Sequence, residues 1–359
     1  VTLYLDANAA EPLRPAARAA VLAALDLPGN PSSVHAAGRA ARRLLERARD
    51  QVKARFGPAE VVFTAGGTEA NALAIHALAA GRRLLVGATE HPAVLAAAPG
   101  AAPLPVLRDG TLDLEALEAA LRGAPALVCL MAANNETGVI HPVAEAAALC
   151  RRHGALLHVD AVQAAGRMPV SLAAFGADSL AISGHKLGGP KGAGALLLRP
   201  GLQVAPLVAG GGQEGGRRGG TEPLPAIAGL GAAAEAADPA PALRLAVLRD
   251  AIEAGCMGAE VAGAGAPRLP NTTSLILPGH AAETQVIALD LAGVQVSAGA
   301  ACSSGKVGRS HVLAGMGIAE GAIRVSLPWD AAPDAAERFI QAWSAMRDRL
   351  SRRALAGAR

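Results

Sequence analysis

Short apolar runs alternate with amphipathic stretches along most of the chain, the pattern that βαβ units require. VVFT at 61–64 reads as a strand running into the helical EANALAIHALAA. RLLVGA (83–88) and ALVCLMA (126–132) have the unbroken apolar character of buried strands, and AEAAALCRRHG reads as a helix closed by Gly154. Further strands are predicted at ALLHVD (155–160), SLAIS (179–183) and GALLLR (194–199). The succession predicts an α/β fold with a mainly parallel central sheet and helices on its faces. A composition shift at ADPAPA (237–242) marks a hinge, followed by strands near TSLILP and VQVSAG and a closing helix from Asp334 onward. The expected organisation is a large domain over residues 15–240, a smaller α+β domain over 241–359, and an N-terminal segment, 1–14, packing on the smaller domain. There is no internal repeat, and the Ala-rich tracts keep helical spacing.

Composition narrows the class. A chain of 359 residues buries a substantial core, and its 52% apolar content is broken into runs too short to cross a bilayer. VTLYLDANAAEP lacks the basic-then-apolar order of a secretory signal, which points to a cytoplasmic enzyme. Cysteines 129, 150, 256 and 302 show neither metal spacing nor a disulfide framework, as in a reducing compartment. Cys150, His153 and His158 are divided between a helix end and a strand, so no metal site is expected. With 33 basic and 30 acidic side chains interspersed, no nucleic-acid footprint stands out; RRLLERARD and RDRLSRR read as solvated helix faces.

Candidate chemistry gathers where predicted strands end. In VVFTAGGTEANALAI, Gly66, Gly67 and Thr68 stand between strand and helix, where bare N–H groups and the positive helix end suit a phosphate. The plainer alternative is a tight turn with Thr68 as N-cap. It is not a nucleotide P-loop, and GAACSSGKV at 299–307 has the wrong glycine spacing and Val307 in place of Ser or Thr. LLHVDAVQAAG ends a strand on Asp160, with Gln163 three residues on. A carboxylate there points into the ligand crevice of an α/β sheet and needs a cationic partner, although a lone Asp more often caps a helix or pairs with arginine. Lys186, in SGHKLGGPKGAG, follows the next strand and emerges on the same edge. Gly188 and Gly189 let the chain turn sharply after it, and Lys191 reads as an exposed loop charge. A phosphate seat, an acid for a pyridinium and an amine for a Schiff base are what pyridoxal phosphate requires. Aromatic residues make up only 2% of the chain, so His91 in TEHPAV is the flat side chain available to the ring; its plain alternative is a turn histidine before Pro92.

The ordered set YLDANAAEP, GNPSSVH, FTAGGTEAN, TEHPAV, NNETGVIHP, HVDAVQAAG, SGHKLGGPKGAGAL, GGGQEGGRRGGTEP, SAGAACSSG and IRVSL resembles the cysteine desulfurases, pyridoxal-phosphate enzymes of fold type I, from Tyr4 to about Leu327. The resemblance implies removal of sulfur from L-cysteine, leaving L-alanine and a persulfide on an enzyme cysteine. It implies Lys186 as the Schiff-base lysine, Asp160 as the pyridinium partner and His91 as the stacking, proton-handling residue. Gln163 and Asn135 would contact the cofactor's phenolic oxygen; Gly67, Thr68, Ser183 and His185 would hold the phosphate with Thr221 from the other subunit of a homodimer. Asn135 and Arg324 would meet the substrate, Arg324 pairing with its carboxylate; otherwise Arg324 is an ordinary surface ion pair.

Cys302 is the expected sulfur acceptor, on a run of Gly, Ala and Ser that packs poorly, with Lys306, Arg309 and His311 close in sequence to favour thiolate. Cys129 and Cys150 read as buried small hydrophobes, and Cys256 is left open. A sulfur-acceptor or iron–sulfur scaffold protein is the expected partner. A selenocysteine lyase or class V aminotransferase would keep Lys186 and Asp160, but an aminotransferase has no use for Cys302; an idle sulfur-relay scaffold would not need the intact set. Three positions depart from the family pattern: Glu11 where threonine is common, Gly215 where arginine often follows the glutamate, and Gly219 where serine is common. The chain ends soon after its last predicted helix, which lends no support to docking through a longer tail.

Overall fold

The computed structural model of the protein describes residues 2–299 and 309–357, with side chains described as far as residue 352. Its main sheet has seven strands in the order Glu60–Thr64, Gly194–Leu198, Ser179–Ser183, Leu156–Asp160, Ala126–Met131, Arg83–Gly87 and Ala102–Leu104. The last five pair in parallel. Gly194–Leu198 is antiparallel to both neighbours, the one correction to the parallel arrangement expected of the predicted strands. Only residues 184–193 join it to Ser179–Ser183, fewer than the dozen or so a parallel crossover needs.

Along the strands, alternate side chains enter different cores. Val61, Phe63, Leu180, Ile182 and Leu197 face one layer of helices, while Val62, Ala181, Leu196 and Leu198 face the other. Gly67–Leu78 covers the second face; Ala36–Phe56 and Leu224–Ala236 lie on the first. The Ala/Gly sequence of Leu224–Ala236 has a packing reason. A Cβ on Gly229 would stand 2.6 Å from Val21, and one on Gly231 would stand 2.7 Å from the Ala48 Cα, so small residues let the neighbouring helices approach closely.

Beyond residue 240 a four-stranded antiparallel sheet, Ser297–Ala298, Ile323–Ser326, Thr272–Ile276 and Glu260–Val261, packs with Leu243–Gly255, Ala282–Leu291 and Ala335–Gly357 around Phe339 and Trp343. The predicted VQVSAG strand divides: Val294–Gln295 pairs in parallel with Leu3–Tyr4, and Ser297–Ala298 joins the sheet. Residues 3–14 touch both units. Asp6 bridges to Ser326, the Glu11 N–H donates to the His185 carbonyl (2.9 Å), and the Arg14 N–H donates to the Gly188 carbonyl (2.8 Å).

One predicted solvated face is not wholly solvated. Arg49, in RRLLERARD, forks onto buried Glu214 at 2.9 and 3.0 Å, and Glu214 also accepts from the Phe63 N–H (2.8 Å). Two local features bear on the loop departures. Glu214 takes φ +50° to reach Arg49, and Gly215 follows at φ +66°, a conformation that favours glycine over the arginine common there. A Cβ on Gly219 would lie 2.6 Å from the Ala209 backbone, so serine does not fit without a shift. Among the described residues no helix is long and apolar enough to cross a membrane.

Candidate active site

At the carboxyl edge of the parallel strands lies a cavity of about 350 Å³ lined by Gly67, Thr68, His91, Asn135, Asp160, Gln163, Ser183, His185, Lys186 and Arg324, together with Asn8, Ala9, Asn71, Met131, Ala133 and Val162. Parallel strands place it there: Asp160 ends Leu156–Asp160, and Lys186 follows the adjacent Ser179–Ser183 through one short helical turn. A larger, shallower groove of about 790 Å³ beside Leu114–Leu121 and Val143–Arg152 holds none of the predicted residues.

The helix start expected to seat a phosphate has no side-chain cap. Helix Gly67–Leu78 has Gly66, not Thr68, as its N-cap, with no side-chain cap, and Thr68 is exposed. The turn-and-cap alternative is therefore corrected. On the facing loop Ser183 Oγ and His185 Nδ1 are 3.0 Å apart, and burial lowers the His185 pKa to about 4, helped by Lys186 and Lys191. A neutral His185 beside Ser183 offers donors without adding charge. Lys191 is exposed, as predicted.

Asp160 is 5% exposed and accepts two hydrogen bonds, from Asn71 Nδ2 (2.7 Å) and from the Val162 N–H (2.9 Å). Burial raises its pKa, while the Val162 N–H, His91, Asn71 and Lys186 pull it down. It neither caps a helix nor pairs with arginine. Lys186 Nζ donates to the Asn8 carbonyl and to the Ala9 carbonyl, the latter at 2.8 Å, so the N-terminal segment forms the wall behind the amine. Gly188 makes the turn beyond it at φ +79°, and a Cβ there would strike Arg14 at 2.7 Å. His91 takes the turn-and-cap place of its plainer alternative and also lines the cavity. Its Nδ1 accepts from the Ala93 N–H (3.1 Å) as an N-cap, which leaves Nε2 as the proton-bearing nitrogen of the neutral ring, and the side chain lines the cavity. Burial lowers its pKa, with Lys186 and His311 adding to that and Asp160 opposing it.

Arg324 is 1% exposed, which excludes the surface ion pair. Nη2 donates to Asp6 Oδ1 (2.8 Å) and Nη1 to the Asn135 carbonyl (3.2 Å), while Nε has no partner among the described residues. Gln163 Nε2 donates to the Asn8 carbonyl (3.0 Å), and Gln163 Oε1 accepts from Arg167. Because guanidinium only donates, Arg167 fixes the amide with its oxygen toward the arginine and its nitrogen toward the Asn8 carbonyl. Arg167 is held in turn by Glu11 (3.2 Å), both side chains being nearly fully buried. The Glu11 departure thus has a local counterion.

Two predicted residues are not part of this geometry. Thr221 is exposed and does not line the cavity of this chain. Cys302 lies outside the described residues, as does Lys306. The other thiols are all buried: Cys129 in a central strand, Cys150 in a helix and Cys256 just after one. Burial raises the Cys129 pKa strongly and those of Cys150 and Cys256 to about 12, which suppresses all three as thiolates.

Asn8, Asn71 and Arg167 escaped the sequence reading, and Glu11 entered it only as a departure from the family pattern. For Asn71 a signal exists: it sits with Ala74, Ile75 and Leu78 at helical spacing, a polar residue within the apolar stripe. The others arrive through long-range contacts.

Residues 3–339 match the family model for aminotransferase class-V. The cysteine desulfurase of Cereibacter sphaeroides is 44% identical over an alignment covering 97% of this chain and 96% of the relative. That of Enterobacter agglomerans is 41% identical, covering 90% of this chain and 87% of the relative. Among solved structures, a NifS-like protein from Rickettsia africae ESF-5 superimposes with a TM-score of 0.90 at 33% identity, covering 97% of this chain and 100% of the other. A protein named SspA, solved in complex with cysteine, matches with a TM-score of 0.81 at 28% identity over 91% of this chain and 99% of that one. The architecture is fold type I of the pyridoxal-phosphate enzymes. Enzymes of this family depend on that cofactor, and the residues fit it: an uncapped helix start where a Cβ on Gly67 would strike Val162 at 2.6 Å, a buried acid and an amine share one cavity. The chain belongs to the aminotransferase class-V family and, within it, to the cysteine desulfurases.

Proposed function

We propose that the cavity takes sulfur from L-cysteine, leaving L-alanine and a persulfide on Cys302. The observation that carries this reading is the convergence of Lys186, Asp160, His91 and Arg324 on one cavity of about 350 Å³. The cysteine seen with SspA supports the substrate. When bound, pyridoxal phosphate supplies an electron sink for the substrate's carbon framework. Lys186 would hold it covalently, Asp160 would pair with the ring nitrogen, and His91, with Nε2 as its proton-bearing atom, would meet the ring. Gly67, Thr68, Ser183 and His185 hold the phosphate, joined by Thr221 from the other subunit of a homodimer. Gln163 and Asn135 meet the phenolic oxygen, and Arg324 and Asn135 meet the substrate.

The Cys302 thiolate attacks the substrate's sulfur. An S–S bond forms as the C–S bond breaks, and the electron pair left on carbon takes a proton to give L-alanine. The suppressed thiols of Cys129, Cys150 and Cys256 support Cys302 as the acceptor. Residues 15–240 form the cofactor domain and 241–359 the smaller domain that carries Cys302, with 1–14 packed on it. The enzyme works in the cytoplasm, where its unpaired cysteines stay reduced, and passes sulfur to an acceptor or scaffold protein for iron–sulfur clusters or thiolated cofactors.

Purified protein given L-cysteine and a reductant is expected to release alanine and sulfide without any keto acid. In Cys302→Ser both products should fall by roughly three orders of magnitude or more, with cofactor binding intact, because a hydroxyl is a poor nucleophile toward sulfur. Brief exposure of the parent protein to L-cysteine should add one sulfur to the Cys302 peptide by mass spectrometry. Sulfur mapping to another cysteine, or alanine made at the parent rate by the serine variant, rejects the mechanism.

A further inference from the structure

Behind Asp160, running from the cavity wall at Asn71 into the protein interior, three buried polar side chains are linked in succession. Asn71 Nδ2 donates to Asp160 Oδ2 (2.7 Å), His158 Nε2 lies 2.9 Å from Asn71 Oδ1, and His158 Nδ1 lies 2.8 Å from Ser179 Oγ. Asn71 is 1% exposed, and His158 and Ser179 are fully buried.

The directions are forced. Both Asp160 oxygens accept, one from Asn71 and one from the Val162 N–H, so the Asn71 amide turns its nitrogen to the carboxylate and its oxygen to His158. His158 must then donate from Nε2. Burial lowers its pKa to about 3, so the ring is neutral and its Nδ1 is an acceptor, which requires the Ser179 hydroxyl to donate. We propose that Ser179, His158 and Asn71 are positioning residues whose one-way donor chain holds Asp160 ionised and aimed at the cofactor's ring nitrogen.

The proposal rests on the reading that Asp160 meets that nitrogen. The charged or titratable groups that act on Asp160 are His91 and Lys186, which favour its ionised form, and Glu90, whose pKa Asp160 itself raises. None of these aims the carboxylate by a hydrogen bond. The donor chain does, from two adjacent strands and the Gly67–Leu78 helix.

The test compares holoenzyme carrying His158→Leu, His158→Gln, Ser179→Ala and Asp160→Ala. His158→Gln keeps an acceptor toward Ser179 and a donor toward Asn71; His158→Leu keeps neither. The readouts are the pH titration of the bound cofactor's visible absorption, its dissociation constant and the melting temperature. His158→Leu should shift the titration midpoint by about half a pH unit or more and weaken cofactor binding roughly tenfold to a hundredfold, with His158→Gln close to the parent. Ser179→Ala, a smaller change that keeps the fold accessible if His158→Leu does not fold, should move the midpoint in the same direction. In an Asp160→Ala background these shifts should vanish. A lowered melting temperature with an unmoved titration in both His158→Leu and Ser179→Ala overturns the chain and leaves the cofactor site standing. Unchanged absorption and affinity in Asp160→Ala alone overturns the placement of the ring, and the chain with it.

Discussion

At one end of the cavity Asp160 ends one parallel strand and Lys186 follows the adjacent one, and Asp160 already accepts from Asn71 and from the Val162 N–H. At the other, Arg324 comes from the antiparallel sheet, Asp6 from the N-terminal segment and Asn135 from the loop after Ala126–Met131, and among the described residues the guanidinium Nε has no partner. The first end is fixed before anything binds. In the proposed function the second would be an exchangeable ion pair, in which an incoming carboxylate would displace Asp6 or share the guanidinium with it. A site that keeps one cofactor through many turnovers while admitting and releasing a small amino acid needs this asymmetry.

The largest expected effect is at the fixed end. Lys186→Ala should abolish the visible absorption of lysine-bound cofactor and lower turnover by roughly four orders of magnitude or more, since among the described residues no other amine lines the cavity. Borohydride trapping with peptide mapping decides it, and a normal link found on another lysine breaks the comparison.

Next comes the segment that joins the ends. Glu11 and Arg167 form a buried pair, and Arg167 in turn fixes Gln163. Glu11→Ala leaves a buried guanidinium without its counterion and should cost about 3–5 kcal/mol of stability by denaturant unfolding. A loss below about 1 kcal/mol would mean that the segment is not clamped and both ends are equally adaptable.

Much of the fixed end was legible because its strands are buried on both faces: they read as unbroken apolar runs, so Asp160 and Lys186 stand out as charges where the runs stop. The uncapped Gly66–Gly67 turn is likewise local. Strand direction was less legible, since the apolar run at 194–199 carries no sign of direction and only the short connection before it does. Asn8, Glu11 and Arg167 were hidden because what makes them part of the site is contact between segments more than a hundred and fifty residues apart. Arg324 was legible by resemblance alone; its burial and its hold on Asp6 depend on the antiparallel sheet and the first strand meeting.

The exchangeable end should yield a smaller effect of a different kind. Arg324→Lys keeps a charge but loses the planar fork, so KM for L-cysteine should rise roughly tenfold to a hundredfold with a smaller change in kcat and no change in cofactor absorption. Equal losses in kcat and kcat/KM would mean that Arg324 acts only in the transition state and that its pair with Asp6 is not what the substrate displaces.

The smallest effect lies beneath the fixed end, at Glu90. Its side chain is fully buried, Oε1 accepts from the Met131 N–H at 2.5 Å, and Oε2 has no partner. Burial, and then the charge of Asp160, push its pKa well above the ordinary value of 4.5, with the Met131 N–H pulling the other way. Between those two values the folded protein holds one proton more than the unfolded chain, so this group makes stability fall as pH rises through the window, by at most about 1.4 kcal/mol per pH unit. Glu90→Gln keeps the carbonyl acceptor for Met131 and cannot titrate, but it brings an amide whose two protons lack partners, at a cost of about 1 kcal/mol. The variant should therefore be slightly less stable than the parent near pH 5, and the difference should shrink and then change sign toward pH 8, with kcat within about twofold because Glu90 does not line the cavity. Melting temperatures of parent and variant across that range decide the matter. A difference that stays constant with pH means that Glu90 is ionised throughout, and that the ground under His91 carries a second negative charge beside Asp160.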